Sequence, residues 1–227
     1  MAEQRKTTPR VVLGIAGGSG SGKSWLAKAV ADRFGRRAAV VCHDWYYKHQ
    51  GGLSEEERVK LNFDHPDSLE SSLMRLQLDR LIAGEAVDAP IYDYATHTRL
   101  QRTRRVEPKE LLILDGILIL HEKELRDRMT LSVFIDAPDD IRLMRRVRRD
   151  CKERRVDLDE TLRLYEDYVR PMHGRYVAPS SRHATWIWSQ LDDRTFPELL
   201  IRDLESRLDG AGQRAEGAGP IERQTAS

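Results

Sequence analysis

Residues 11–24 read VVLGIAGGSGSGKS and carry the strongest indication of the fold in this chain. The apolar run from Val11 to Ala16 predicts a buried strand. Residues 17–24 match the pattern G-x-x-x-x-G-K-[ST] in full. The glycines permit positive φ angles, so successive backbone N–H groups can surround an anion. Residues 24–34 have helical apolar spacing, so the stretch predicts a phosphate-binding loop between a strand and a helix.

The predicted loop supplies eight candidate ligands for a nucleotide. They are Gly17, Gly18, Ser19, Gly20, Ser21, Gly22, Lys23 and Ser24. Lys23 is expected to reach the outer phosphates, and the hydroxyl of Ser24 is placed to bind Mg²⁺. The helix that follows directs its positive end at the charge. The predicted cofactors are therefore ATP (or GTP) and Mg²⁺.

Apolar strands alternate with helices along the rest of the chain. Further strands are predicted at 38–42, 111–115, 131–136 and 185–188, and helices at 68–83, 139–150, 158–169 and 196–208. This alternation predicts an α/β fold with a parallel sheet flanked by helices. Ligands bind such sheets at the carboxyl ends of the strands. Three predicted strands end at Asp44, Asp115 and Asp136.

The predicted organisation is one P-loop domain over residues 11–208. A substrate-binding insertion is expected at 45–106, with a capping box at Ser54 and Glu57 and a hairpin near 90–106. An arginine-rich lid is expected at 150–157. The ends, 1–10 and 209–227, have little to bury and are predicted to be disordered.

Composition narrows the class of partner. The chain has 227 residues and a formal net charge of +1, so no overall field favours nucleic acid or a membrane surface. It lacks a run of about 18 apolar residues and the apolar core of a signal peptide. Cys42 and Cys151 form no C-x-x-C pair. These features predict a cytoplasmic protein.

Two features favour phosphoryl transfer to a small molecule. Asp44 follows the second strand, beside the phosphates, where a carboxylate can orient a hydroxyl and take its proton. The arginines between Arg142 and Arg155 suit a lid that neutralises the transferring phosphoryl group, although a solvated basic face is the common alternative. Asp115 ends a wholly apolar strand, as a Mg²⁺-binding carboxylate does.

The chain resembles the uridine (uridine–cytidine) kinase family. The matching stretches are residues 14–24, 44–48, 62–67, 92–99, 113–118, 145–150 and 169–173, in the family's order. The resemblance implies phosphorylation of the 5′-hydroxyl of uridine or cytidine in pyrimidine salvage. It also implies a nucleoside substrate and a homo-oligomer, a tetramer in this family.

The resemblance also implies residue roles. Asp44 is similar to the family's catalytic base, and Mg²⁺ would be shared by Ser24, Asp44 and Asp115. Lys23, Arg149 and Arg154 would act on the phosphates. The implied contacts to the nucleoside are Asp44, Phe63, Asp64, Tyr92, Tyr94, His97 and Arg146.

The sequence departs from the family pattern at several points. Asp115 stands where the family has Glu, and residues 153–156 replace the lid motif Glu-Arg-Gly-Arg. Leu164 replaces a Gln near the base, and residues 186–190 replace a Pro-Arg-Gly-Gly strand end. These changes bear on nucleoside identity more than on phosphoryl transfer.

Other functions remain open on the sequence. A related kinase, phosphoribulokinase-like or pantothenate-kinase-like, would use another alcohol. A non-catalytic nucleotide-binding regulator would explain the altered lid, although Lys23, Ser24 and Asp44 argue against it. Binding of nucleic acid by the arginine-rich helix lacks interleaved aromatic residues.

Overall fold

We describe the protein from a computed structural model that covers residues 7–190 and 193–210. Within these residues seven strands form two sheets. The strands are β1 Val11–Gly17, β2 Ala38–Cys42, β3 Val87–Asp93, β4 Thr98–Val106, β5 Leu111–Asp115, β6 Leu131–Asp136 and β7 Trp186–Ser189. The helices are α1 Lys23–Phe34, α2 Glu55–Val59, α3 Ser71–Ile82, α4 Lys123–Arg126, α5 Asp139–Glu153, α6 Leu158–Leu164, α7 Arg170–Met172 and α8 Phe196–Asp209.

The main sheet has five parallel strands in the order β2-β5-β1-β6-β7. Strand β1 lies at the centre, where Leu13 pairs with both Ile113 and Leu131. The predicted fifth strand, near residues 185–188, is present as β7. The predicted α/β class is confirmed, and the carboxyl ends of all five strands lie at one edge.

Both faces of this sheet are buried, because successive side chains of a strand point to opposite faces. In β1, Val12 and Ala16 join a core that includes Met74 of α3. Leu13 and Ile15 join a second core, which α1 and α8 complete. This packing explains why the strands read as continuous apolar runs.

The predicted insertion at 45–106 contains helices α2 and α3 and a separate antiparallel hairpin of β3 and β4. Arg99 of the hairpin donates to Glu70 at 2.6 Å and to the carbonyl of Tyr46 at 2.8 Å. The hairpin is therefore held against the segment that follows β2. The predicted capping box is also present, since Ser54 and Glu57 exchange hydrogen bonds.

Three helix boundaries differ from the prediction by three residues or more. Helix α5 continues to Glu153 rather than ending at Asp150, so residues 150–153 of the predicted lid are helical. Helix α3 begins at Ser71 rather than Ser68, because Pro66–Ser68 forms its own 3₁₀ turn and Glu70 is not helical. The helix predicted over 158–169 is α-helical only to Leu164, and continues as a π-helical turn over Tyr165–Val169.

The predicted disordered ends fall mainly at residues 1–6 and 211–227, which lie outside the described residues. No helix in the described part of the chain is long and apolar enough to cross a membrane.

Candidate active site

The glycine-rich loop joins β1 to α1, as predicted. Gly20 has φ 81°, and a Cβ atom there would lie 2.3 Å from the carbonyl oxygen of Arg142. Only glycine therefore fits this close approach of helix α5. The Arg142 side chain is buried below the loop, where its Nε donates to the carbonyl of Ala137 at 3.1 Å. Arg142 thus supports the loop from below, a place distinct from the predicted lid.

Lys23 and Ser24 occupy the start of α1. The buried Nζ of Lys23 donates to the carbonyl of Gly18 at 3.0 Å. Burial lowers the pKa of Lys23, while Asp115 and Asp44 act to raise it. Ser24 donates its hydroxyl hydrogen to Oδ2 of Asp115 at 2.7 Å. The structure thus places the predicted phosphate and metal ligands side by side.

The donor set fits Mg²⁺. Mg²⁺ takes oxygen ligands and is usually held by one or two carboxylates together with substrate phosphates. Asp115 and the hydroxyl of Ser24 provide such oxygens, and Asp44 faces the same loop. Among residues 7–190 and 193–210, no group of three or more His, Cys, Asp or Glu side chains forms a metal cage alone. The oxygens of Ser24 and Asp115 beside the phosphate loop suit a cation that is bound together with a nucleotide.

Asp44 lies in the 3₁₀ turn His43–Tyr46, directly after β2. Burial raises the pKa of Asp44 to about 6, and the charge of Asp115 acts in the same direction. A carboxylate with such a pKa is charged at neutral pH and a better proton acceptor than an exposed aspartate.

A cavity of about 240 Å³ opens beside Asp44. The structure places all the predicted acceptor-binding residues on its wall: Asp44, Phe63, Asp64, Tyr92, Tyr94, His97 and Arg146. Arg149 and Arg154 also line it. These residues come from several separate segments, so the fold brings them together.

The aromatic wall of this cavity is a packed cluster. Phe63 stacks on His97 with centroids 5.1 Å apart, and Tyr92 and Tyr94 meet edge to face at 5.4 Å. The buried hydroxyl of Tyr92 has no hydrogen-bond partner among the described residues. A buried polar group without a partner is costly, so this hydroxyl suits a polar ligand atom.

Sequence reasoning missed Tyr47, which lines the cavity and packs at 5.0 Å from Tyr92. It lies in the quoted stretch 44–48, and only the fold shows that its ring turns inward.

The charged wall is organised around Asp150, which is 3% exposed. Arg146, Arg149 and Arg154 approach its carboxylate at 3.2, 2.9 and 3.6 Å. Arg146 also donates to the hydroxyl of Ser19 at 3.2 Å, which links the cavity to the phosphate loop. Sequence reasoning gave Asp150 no role, because a single acid in a basic helix looks like a surface residue.

Asp64 lies near this charged wall. Burial raises the pKa of Asp64, and Arg146 opposes that rise.

The segment after α5 closes the cavity. Arg154 lies over the ring of Tyr94 at 4.6 Å, and Arg155 has a left-handed backbone with φ 58°. Val156 and Leu164 line the cavity together with Tyr168. Val156 and Leu164, two of the positions that depart from the family pattern, therefore give this end an apolar surface.

The fold and site define a P-loop phosphotransferase, in which the glycine-rich phosphate loop and the carboxylate of Asp44 face one cavity. The model of the phosphoribulokinase / uridine kinase family matches residues 12–196, and the chain belongs to this family. A uridine kinase of Streptococcus uberis is 45% identical over 175 residues, covering 77% of this chain and 83% of the relative. A uridine kinase of Chloroflexus aurantiacus is 45% identical over 183 residues, covering 80% and 88%.

Solved structures share the fold at low sequence identity. A possible uridine kinase from Bacillus stearothermophilus aligns with a TM-score of 0.56 at 20% identity, covering 82% of this chain and 92% of that one. Phosphoribulokinase from Rhodobacter spheroides aligns with a TM-score of 0.55 at 12% identity, covering 79% and 68%. These likenesses agree with the parallel sheet described above.

Proposed function

We propose that the protein transfers the γ-phosphoryl group of ATP or GTP to the 5′-hydroxyl of uridine, cytidine or both. The observation that carries this proposal is the cavity beside Asp44, with an aromatic wall, the half-buried carboxylate of Asp64 and an unpartnered phenol. A pyrimidine nucleoside has a flat base, polar edges and a diol, which suit these three features. The curated relatives named uridine kinase support the same substrate.

The step needs little covalent chemistry from the protein. The 5′-oxygen attacks the γ-phosphorus while the bond between that phosphorus and the β,γ-bridging oxygen breaks, and the nucleoside diphosphate leaves. Asp44 orients the hydroxyl and accepts its proton. Mg²⁺, held by Ser24 and Asp115 with the phosphates, would supply positive charge to the phosphate oxygens.

The remaining side chains position the acceptor and offset charge. Asp64 and Arg146 are proposed to hold the ribose diol, and Tyr92 and His97 the edge of the base. Lys23, Arg149 and Arg154 are proposed to stabilise charge on the transferring group. Asp150 holds the three arginines nearest the cavity in place.

The proposal extends to assembly and location. We expect a homotetramer in the cytoplasm, as in the family that the sequence resembles. Sedimentation velocity of the purified chain measures the first of these directly.

The test is release of nucleoside diphosphate from Mg·ATP and Mg·GTP with a panel of acceptors. The panel is uridine, cytidine, adenosine, ribulose 5-phosphate, pantothenate and no acceptor. We expect turnover with uridine or cytidine alone. Turnover with ribulose 5-phosphate or pantothenate would replace the proposed substrate, and no turnover with intact nucleotide binding would favour a regulator.

A further inference from the structure

A second cavity, of about 500 Å³, borders the phosphate loop at Gly22. Its wall contains Gly22, Trp25, Arg145, Trp188, Gln190, Arg194 and Pro197. It shares no lining residue with the acceptor cavity, which reaches the same loop at Ser19. A triphosphate lying along the loop with its γ end at Asp44 therefore has room for its nucleoside part here.

Trp25 gives this cavity an open aromatic surface. It lies in the first turn of α1, two residues after Lys23, and is 58% exposed. Trp25 is not part of the hydrophobic core, because the side chains of α1 that pack against the main sheet include Leu26 and Val30. An exposed indole ring can stack on a planar nucleotide base, whichever base it is.

Gln190 gives the cavity a fixed polar group. Its Oε1 accepts a hydrogen bond from Nη1 of Arg145 at 2.5 Å. This bond decides which way the amide faces, because Arg145 has only donors to offer. The Nε2 group is therefore turned toward Gly22, where it lies 2.8 Å from the position of a Cβ atom.

The polar side chains that line this cavity among the described residues can each offer donors to a ligand. Gln190 presents Nε2, and Arg145 and Arg194 present guanidinium groups. No carboxylate of the described residues lines it. A purine that has hydrogen-bond acceptors along one edge matches such a lining. A purine with an exocyclic amine on that edge would place a donor against other donors.

Guanine and adenine differ on that edge. Guanine presents two acceptors, O6 and N7, while adenine presents one acceptor and the donor N6–H₂. We propose that this second cavity binds the purine base of the phosphoryl donor, stacked on Trp25, and that Gln190 favours guanine over adenine. This inference rests on the nucleotide-dependent transfer proposed above and assigns the specificity of its donor.

The test measures nucleotide binding by titration calorimetry without any nucleoside acceptor. The probes are Mg·GTP, Mg·ATP and Mg·ITP, since the base of ITP keeps O6 and N7 but lacks the 2-amino group. We expect GTP and ITP to bind about tenfold more tightly than ATP, the scale of one or two hydrogen bonds. ITP binding like ATP would overturn the assignment to the O6 and N7 edge.

Three variants sharpen the test. Gln190→Leu is expected to bring the ratio of GTP to ATP affinity close to one, and Gln190→Glu to bring it below one. Trp25→Ala is expected to lower the affinity for all three nucleotides to a similar degree. The matched control is Gln101→Leu on the exposed hairpin strand β4, which lines neither cavity and should leave the ratio unchanged.

The outcomes separate this inference from the proposed function. Equal affinity of the wild-type protein for GTP and ATP overturns the guanine preference. Unchanged affinities in Trp25→Ala overturn the location of the base. Failure to phosphorylate uridine would reject the acceptor and leave these binding results standing, because no acceptor is present.

Discussion

The phosphate loop and the acceptor cavity are built in different ways. The loop uses eight consecutive residues and mostly backbone atoms, supported by α5 from below. The cavity uses side chains from β3, α5, α6 and the segments that follow β2 and α2. A continuous motif therefore forms the part common to many P-loop proteins, and separated side chains form the cavity that we propose selects an acceptor.

The largest effect is expected from a substitution of Asp44 that lowers the turnover rate without lowering nucleotide affinity. Asp44→Asn removes the proposed proton acceptor but preserves the size of the side chain. We expect turnover to fall by about a thousandfold, within the usual range for a general base, while the affinity for Mg·ATP changes little. Initial rates and calorimetry on the same preparation measure the two quantities.

Asp136→Asn is the matched control for this change. Asp136 also ends a strand at the same edge of the sheet, but it is exposed and lines neither cavity. Near-normal turnover in Asp44→Asn would contradict the assignment of the base.

The second prediction tests the loop as a backbone structure. Gly20→Ala places a Cβ atom 2.3 Å from the Arg142 carbonyl in a left-handed conformation. We expect donor affinity to fall by at least about tenfold and stability by about 1–3 kcal/mol. Nucleotide titration and urea unfolding are the measurements.

Gly35→Ala provides the control for backbone strain alone. Gly35 also has positive φ, at 51°, but nothing lies within 4 Å of its Cβ position. If both variants lose the same donor affinity, the close approach of Arg142 is not what requires glycine in the loop.

The third prediction concerns the acceptor cavity. Tyr92→Phe removes only the buried hydroxyl that lacks a partner. We expect the KM for the nucleoside to rise about tenfold with the donor KM unchanged, and the stability of the free protein to stay equal or increase. Steady-state kinetics with each substrate varied, and urea unfolding without ligand, report these effects.

Tyr176→Phe is the comparison for a phenol that already has a partner. The Tyr176 hydroxyl lies 3.0 Å from Nε2 of His65, so its removal should lower stability. A Tyr92→Phe protein that loses stability to the same extent would show that its hydroxyl is satisfied in the free protein.

The smallest effect is expected at His173, which belongs to neither the phosphate loop nor the lining of the acceptor cavity. Burial lowers the pKa of His173 to about 4, and Arg142 adds to this shift, opposed by Asp139. The unfolded chain then binds the proton more readily, so the free energy of unfolding falls as pH drops from about 6.5 toward 4. His173→Asn should flatten this part of the pH profile, measured by urea unfolding.

The exposed His49 is the control for general acid effects. The variant His49→Asn should keep the wild-type profile. An unchanged slope in His173→Asn would mean that other groups cause the acid sensitivity.

The order of the main-sheet strands and of the longer helices was predictable because local chemistry specifies it. Apolar runs, the glycine loop and the Ser54 cap each act within a few residues. The helix boundaries near Pro66 and Leu164 were not predictable from the sequence, because the 3₁₀ turn and the π-helical turn there depend on packing against other segments.

The phosphate loop, the candidate base Asp44 and the parallel α/β fold could be inferred from the amino-acid sequence, since each depends on a continuous pattern. Three features became visible only in the folded chain: Arg142 lies under the loop, Asp150 pairs with three arginines, and a second cavity lies at Trp25 and Gln190. Charge pairing and burial join residues that are far apart in the chain, and hydrophobic periodicity carries no record of such contacts.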